Sequence, residues 1–306
     1  MTVLSEEADA VVLGEDAVNA RESSRRSRLA TALRSFSHNR LGVAGVVIVL
    51  VMLGFCFIGP LVYHTDQIHT NLNQVHLPPS AAHPLGTDPV GYDELGRLMV
   101  GGQASLEVAL AAAVIATAFG ALWGAISGFV GGFADSLLMR IVDAMLSVPP
   151  LLVVLFLATI YRPSVPMLVV VVALVSWLIP SRLVRGEALV LRTLDYVQAI
   201  RMFGGTRRRA IFRHVMPNSI GTMVVNVTFQ VADAMLLVAG IGYLGLGIPP
   251  PATDWGSMLS SGINYIYSGY WWLIYPPGVA ILLTVVAFNF IGDALRDAFE
   301  IRLRER

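Results

Sequence analysis

The sequence contains no lysine: all 21 of its basic residues are arginine, balanced by 21 acidic ones. A phosphate-cradling Walker loop needs a lysine that reaches the phosphates, so the chain cannot carry that motif. Cysteine is almost absent too. Cys56 stands alone, which excludes an internal disulfide and a multi-cysteine metal site. Between Phe55 and Phe57 it reads as a small buried hydrophobe. The six histidines offer no pair at metal-ligand helical spacing outside loops. Charge is scarce as well, at 14% against about a quarter in soluble domains. Neither a Gly-x-Ser-x-Gly elbow nor a His-Glu-x-x-His helix occurs. No catalytic residue and no metal site is therefore expected.

What fills the chain is apolar: 55% of 306 residues, with a mean hydropathy of +0.67. An ordinary cytosolic enzyme and a disordered chain are both excluded. A bilayer core of roughly 30 Å needs about 20 apolar residues of helix. Six stretches meet or approach this, near Leu41–Val62, Val108–Val130, Ile141–Ile160, Ser164–Ile179, Ile220–Leu244 and Trp271–Ile291. The first run is too long for a signal h-region and lacks a cleavage site behind it, so it is expected to be a retained span. Nineteen of the 21 arginines fall before the first stretch, between the fourth and fifth, after the sixth, or at Arg140, leaving Arg97 and Arg162 on the other side. Positive residues stay cytoplasmic, so both termini are expected inside. Tyr265, Tyr267, Tyr270, Trp271, Trp272 and Tyr275 cluster where the sixth span should meet the outer interface, a level that amphipathic rings prefer. The acidic start of the tail has no evident partner.

Between the fourth and fifth spans runs a polar segment with its own periodicity. Leu194, Val197, Ile200 or Arg201, and Phe203 recur at helical spacing, and Gly204-Gly205 supplies a stop. Thr206 can cap a second helix carrying Ile211, Phe212 and Val215, which Pro217 ends. Two readings compete for this hairpin. One is a surface helix held on anionic lipid by its arginines. The other, favoured because a lipid-bound helix needs no double-glycine turn, is a knob docked into a groove of a cytoplasmic partner.

Inside the spans, Asn226, Gln230 and Asp233 form one stripe of the fifth. A charge at a helix centre costs on the order of 2.5–3.5 kcal/mol on insertion scales. The stripe should therefore face a translocation pathway or a neighbouring helix. Glu107 and Asp143 lie nearer span ends, and Asp143 has Arg140 as a local partner. Ala112, Ala116, Gly120, Gly124 and Gly128 repeat every fourth residue, a face for close helix packing. Pro149-Pro150 and Pro276-Pro277 predict kinks or late helix starts. An ion-coupled secondary transporter would also want intramembrane carboxylates, and a channel or scaffold shares the same hydropathy.

The hairpin resembles the cytoplasmic loop of ATP-binding-cassette importer permeases, with Gln198-Ala199-Ile200, Gly204 and His214-Val215-Met216-Pro217 on its motif positions. Gln198 replaces the usual glutamate and Ile200 the usual alanine. Three further runs resemble the dipeptide/oligopeptide/nickel permeases. These are His83-Pro84-Leu85-Gly86-Thr87-Asp88 continuing to Arg97, Leu244-Gly245-Leu246-Gly247 with Asp254-Trp255-Gly256, and Ala287 to Asp297. The cytoplasmic extension is similar to that of the second, C-type subunit. The resemblance implies an all-α integral membrane protein: six transmembrane helices, a type I importer permease (MetI-like) core and cytoplasmic termini. It maps a tail at 1–40, a first span at 41–63, an extracytoplasmic segment at 64–100, a core at 101–297 holding a coupling hairpin at 185–218, and a last tail at 298–306. Asp195, Gln198, Ala199, Arg201, Gly204, Gly205, His214 and Pro217 would then contact the ATPase. It further implies a second homologous permease, cytoplasmic ATPase subunits that hold ATP and Mg, an extracytoplasmic substrate-binding protein and surrounding membrane lipid, but no nucleic acid. The cargo implied is peptide, with nickel chelates as the alternative.

Overall fold

The computed structural model describes residues 36–202 and 206–304. Among them the secondary structure is helical, with a lone β-bridge between Thr87 and Asp93. Helix α1 (Arg40–Leu53) starts at Asn39, whose side chain accepts from the amides of Leu41 and Gly42. It continues through a π-turn (Gly54–Ile58) and a last turn to Val62. Helix α2 (Glu94–Val130) has 37 residues, about 55 Å, and no proline to break it. Helices α3 (Gly132–Leu146) and α4 (Pro150–Ile160) form one pair bent by 77°, and α5 (Val165–Ser176) and α6 (Leu178–Leu191) another bent by 44°. After the hairpin come α9 (Ile220–Ile241), α10 (Trp255–Ile263) and α11 (Tyr275–Arg304). Among the described residues four helices are long and apolar enough to cross a membrane, or up to six if each bent pair is one span.

The breaks have local causes. Pro150 has no N–H and sits at the first position of α4, where none is needed. Pro276 and Pro277 occupy the first turn of α11 for the same reason. Between α2 and α3 the chain turns at Gly131 and Gly132, both at positive φ, which side chains with a Cβ resist. The run Gly240-Ile241-Gly242-Tyr243-Leu244-Gly245 has the spacing of a dinucleotide fingerprint, but it closes α9 and follows no strand, so that motif's context is missing.

Some expectations from the sequence need correction. The second helix starts at Glu94, fourteen residues before the apolar run, because Asp93 caps it by accepting from the amide of Gly96 (2.9 Å). The fourth stretch continues past Ile179 as α6. Asp143 pairs with Arg182 of α6, which crosses to reach it, rather than with Arg140. The aromatic cluster divides: Tyr267 is fully exposed, whereas Trp272 is buried and donates to the carbonyl of Thr87 (3.2 Å). Tyr270 stacks on His76.

The core joins α1, α2, α3, α5, α9, α10 and α11 and includes the fully buried Trp255. At the end farther from the hairpin, side chains cross-tie the loops. Trp255 donates to the carbonyl of Leu98 (2.9 Å), and Arg97 donates to that of Pro251 (2.7 Å). Tyr63 and His83 both reach Asp93. Burial and the Asp93 carboxylate push the Tyr63 phenol up to about 12. Cys56 is buried against Gly102.

The small-residue stripe of α2 lies directly on α6. Gly120 meets the carbonyl of Trp177, Gly124 that of Ser181, and Gly128 that of Arg185, so each lacks room for a Cβ. At Gly128 an added Cβ would stand 2.6 Å from the Arg185 oxygen. Gly124→Val should destabilise the fold by about 1–3 kcal/mol through overpacking. It should lower the melting temperature of the detergent-solubilised protein. Gly186→Ala, where no atom lies within 4 Å, should be neutral or stabilising by up to about 1 kcal/mol. Equal melting temperatures for the two variants would refute the tight contact.

Candidate functional site

The segment after α6 folds as an elbow lying on the bundle. Helix α7 (Asp195–Met202) forms its first arm. The second arm is α8 (Arg207–Ala210), continued by a π-turn (Ile211–Val215) and a last turn to Asn218. Thr206 caps the second arm, its hydroxyl accepting from the amide of Arg209 (3.3 Å). The elbow has two faces. Val197, Ala210, Ile211 and Val215 are buried against Ala121, Ala125 and Phe129 of α2 and Val184 and Ala188 of α6. Met202 and Phe212, 81% and 53% exposed, point away from the bundle. Around Phe212 a shallow depression of about 620 Å³ is lined by Thr206, Arg208, Arg209, Arg213 and Pro217.

A face that is apolar at its centre and rimmed by arginines suits burial by a partner better than exposure to water. Of the residues singled out from the sequence, Asp195 is exposed at the start of α7. Gln198 is exposed too, its amide donating to the carbonyl of Thr193 (3.0 Å), and Pro217 lines the depression. Ala199 and Arg201 lie in α7 and His214 in the π-turn. Gly204 and Gly205 lie outside the described residues.

Helix α6, which leads into the elbow, is tied to three neighbours by polar side chains that the sequence reading did not assign to the site. Arg185 makes a bidentate pair with Asp135 of α3 (2.6 and 2.7 Å), and the Ser127 hydroxyl of α2 donates to the same carboxylate. Glu187 accepts from Thr222 of α9. Arg192, just past α6, donates to the carbonyl of Gly128 (3.1 Å). Arg185 and Arg192 are seven residues apart, two helical turns on one face, which is the signal that counting them only as topology markers passed over.

The stripe of α9 divides. Asn226 accepts from the Thr117 hydroxyl (3.5 Å), and buried Gln230 donates to the carbonyl of Ser176. Asp233 is exposed, and among the described residues it meets no hydrogen-bond or ion-pair partner.

A bundle of apolar helices, four to six of them able to cross a membrane among the described residues, defines a multi-pass membrane protein. Residues 120–305 match the binding-protein-dependent transport system inner membrane component family, and residues 27–79 match the N-terminal transmembrane domain of oligopeptide transport permease C. The chain is 42% identical over 275 residues to a putative peptide permease of Brucella suis, covering 90% of this chain and 91% of that protein. It is 38% identical over 277 residues to the oligopeptide transport system permease OppC of Salmonella typhimurium (90% and 91% covered). Against the dipeptide transport system permease DppC of Bacillus subtilis it is 35% identical over 273 residues (89% and 85%). The chain belongs to the family of binding-protein-dependent inner-membrane transport components.

Asp135→Ala leaves the Arg185 guanidinium without its bidentate acceptor, and a lost charged hydrogen bond costs about 1.5–3 kcal/mol. The expected outcome is a lower melting temperature and faster limited proteolysis between residues 192 and 218. Unchanged cleavage in that interval would show that the elbow is held without this pair.

Proposed function

We propose that the chain is the C-type permease subunit of an ATP-driven importer of dipeptides and oligopeptides. In this reading it crosses the membrane six times with both termini inside, the two bent helix pairs each counting as one span. It forms half of the translocation pore beside a second homologous permease. A substrate-binding protein delivers cargo to the outer face. The elbow at 195–218 projects into the cytoplasm, where Met202, Phe212 and the arginines around them seat in a groove of an ATPase subunit. With no lysine, this chain leaves nucleotide binding and hydrolysis to those partners.

The observation that carries the reading is the two-faced elbow. Its inner face is sealed onto α2 and α6, and its outer face presents an aromatic anchor with nothing over it among the described residues. A contact that reverses a 99:1 preference between two pore states needs about 5.5 kcal/mol of differential binding. A loose tether cannot transmit that, whereas a packed elbow led by a helix with charged ties to three neighbours can. The names of the relatives support peptide as the cargo.

Phe212→Asp should weaken ATPase docking. Loss of a buried aromatic anchor costs about 2 kcal/mol or more, roughly a thirtyfold drop in affinity. Co-purification of the ATPase in mild detergent should fall accordingly while the second permease stays bound. Full retention of the ATPase by this variant would overturn the docking role of the outer face.

A further inference from the structure

One carboxylate is buried without a partner, at the end of the bundle away from the elbow. Glu94, in the first turn of α2, is 2% exposed. Among the described residues its side chain meets no hydrogen-bond donor and no cation within ion-pair distance. It lines a cavity of about 30 Å³ together with Asp88, Arg97, Thr253 and Ser261. A water-sized body needs about 10–15 Å³ of such space, so the cavity takes about two of them and no amino-acid residue. The apolar side chains of Met258 and Leu273 close other walls, and Ser261 of α10 is its exposed edge.

The other polar groups of the cavity are engaged in a way that leaves Glu94 uncompensated. Asp88 accepts from the amides of Val90 (2.9 Å) and Tyr92 (2.8 Å) with one oxygen and faces the Arg97 guanidinium at 3.8 Å with the other. Arg97 also donates to the carbonyl of Pro251 and lies 4.1 Å over the Tyr92 ring. The Ser261 hydroxyl gives its proton to the carbonyl of Ser257 (3.0 Å), and that of Thr253 to the carbonyl of Asp254 (3.4 Å). Each hydroxyl oxygen therefore has only lone pairs left to offer. Two carboxylates against one guanidinium leave the walls with one net negative charge, and it belongs to Glu94. A carboxylate withdrawn from water is costly unless a counter-charge meets it. Carboxylate and hydroxyl oxygens with free lone pairs are the ligands of a hard cation. A divalent ion is a poor match, because no group of three His, Cys, Asp or Glu side chains gathers among the described residues. We propose that Glu94, with the hydroxyl oxygens of Thr253 and Ser261, binds a single sodium-sized monovalent cation in this cavity. The ion balances the charge of Glu94 and ties the first turn of α2 to α10.

The test uses the full-length chain purified in detergent with the subunits that accompany it, and the probe is the sodium ion alone. In scintillation-proximity binding, radioactive sodium should saturate near one ion per chain and be displaced by unlabelled sodium chloride. Exchanging N-methylglucamine chloride for sodium chloride at equal ionic strength should raise the melting temperature by about 3 °C, the linkage expected with sodium tenfold or more above its Kd. Glu94→Gln removes the charge and keeps the shape. It should abolish both the saturable binding and the shift, while melting no lower than the wild type in N-methylglucamine chloride. Ser261→Ala keeps the carboxylate and should weaken sodium binding about tenfold, the worth of one contact to a charged group. Absence of saturable sodium binding, equal melting temperatures in the two salts, or sodium binding that survives in Glu94→Gln would overturn the proposal. Should Glu94→Gln fail to fold, Ser261→Ala decides: weakened binding supports the site and unchanged affinity overturns it. Binding is read here without transport, so its failure leaves the importer reading standing.

Discussion

Everything at the hairpin end depends on how closely two backbones approach. Because Gly120, Gly124 and Gly128 carry no side chain, α2 lies against the carbonyls of α6 from Trp177 to Arg185. In a membrane there is little hydrophobic drive between helices, and close van der Waals contact takes its place. That contact brings Ser127 and Gly128 within reach of Asp135 and Arg192, and it forms the floor on which Val197, Ile211 and Val215 rest. The polar ties and the elbow's inner face are consequences of the same small-residue stripe.

The helices were legible in the sequence because hydropathy over about 20 residues reports directly on the solvent a helix needs. Their ends were less so. The start of α2 at Glu94 depends on one aspartate cap inside a polar run, which an apolar window does not register. The 77° bend was foreshadowed by Pro149-Pro150, and the 44° break at Trp177 by Pro180, which falls within the first turn of α6 and has no N–H to bond back to Ser176.

Of the site, the elbow's two arms, its Thr206 cap and the small-residue face could be read from spacing. The Arg185–Asp135 pair could not, because fifty residues separate the partners and only the α2–α6 contact brings them together. The same reason explains Asp143, whose partner is Arg182 across a helix boundary instead of Arg140 along its own helix. Periodicity also treated Asn226, Gln230 and Asp233 alike. Neighbouring helices distinguish them, binding the first two and leaving the third open.

Helix α2 is a single proline-free rod, longer than a bilayer is thick and anchored near both tips. Ser127 and Gly128 hold one tip, and Asp93, Arg97 and Leu98 hold the other. A stiff beam fixed in this way cannot bend to absorb a push. A tilt of about 10° over its length would swing one tip by roughly 10 Å relative to the other. Movement imposed at the elbow end of this rod is thus delivered to the loops at its other end mechanically, with no ligand needed to carry the message.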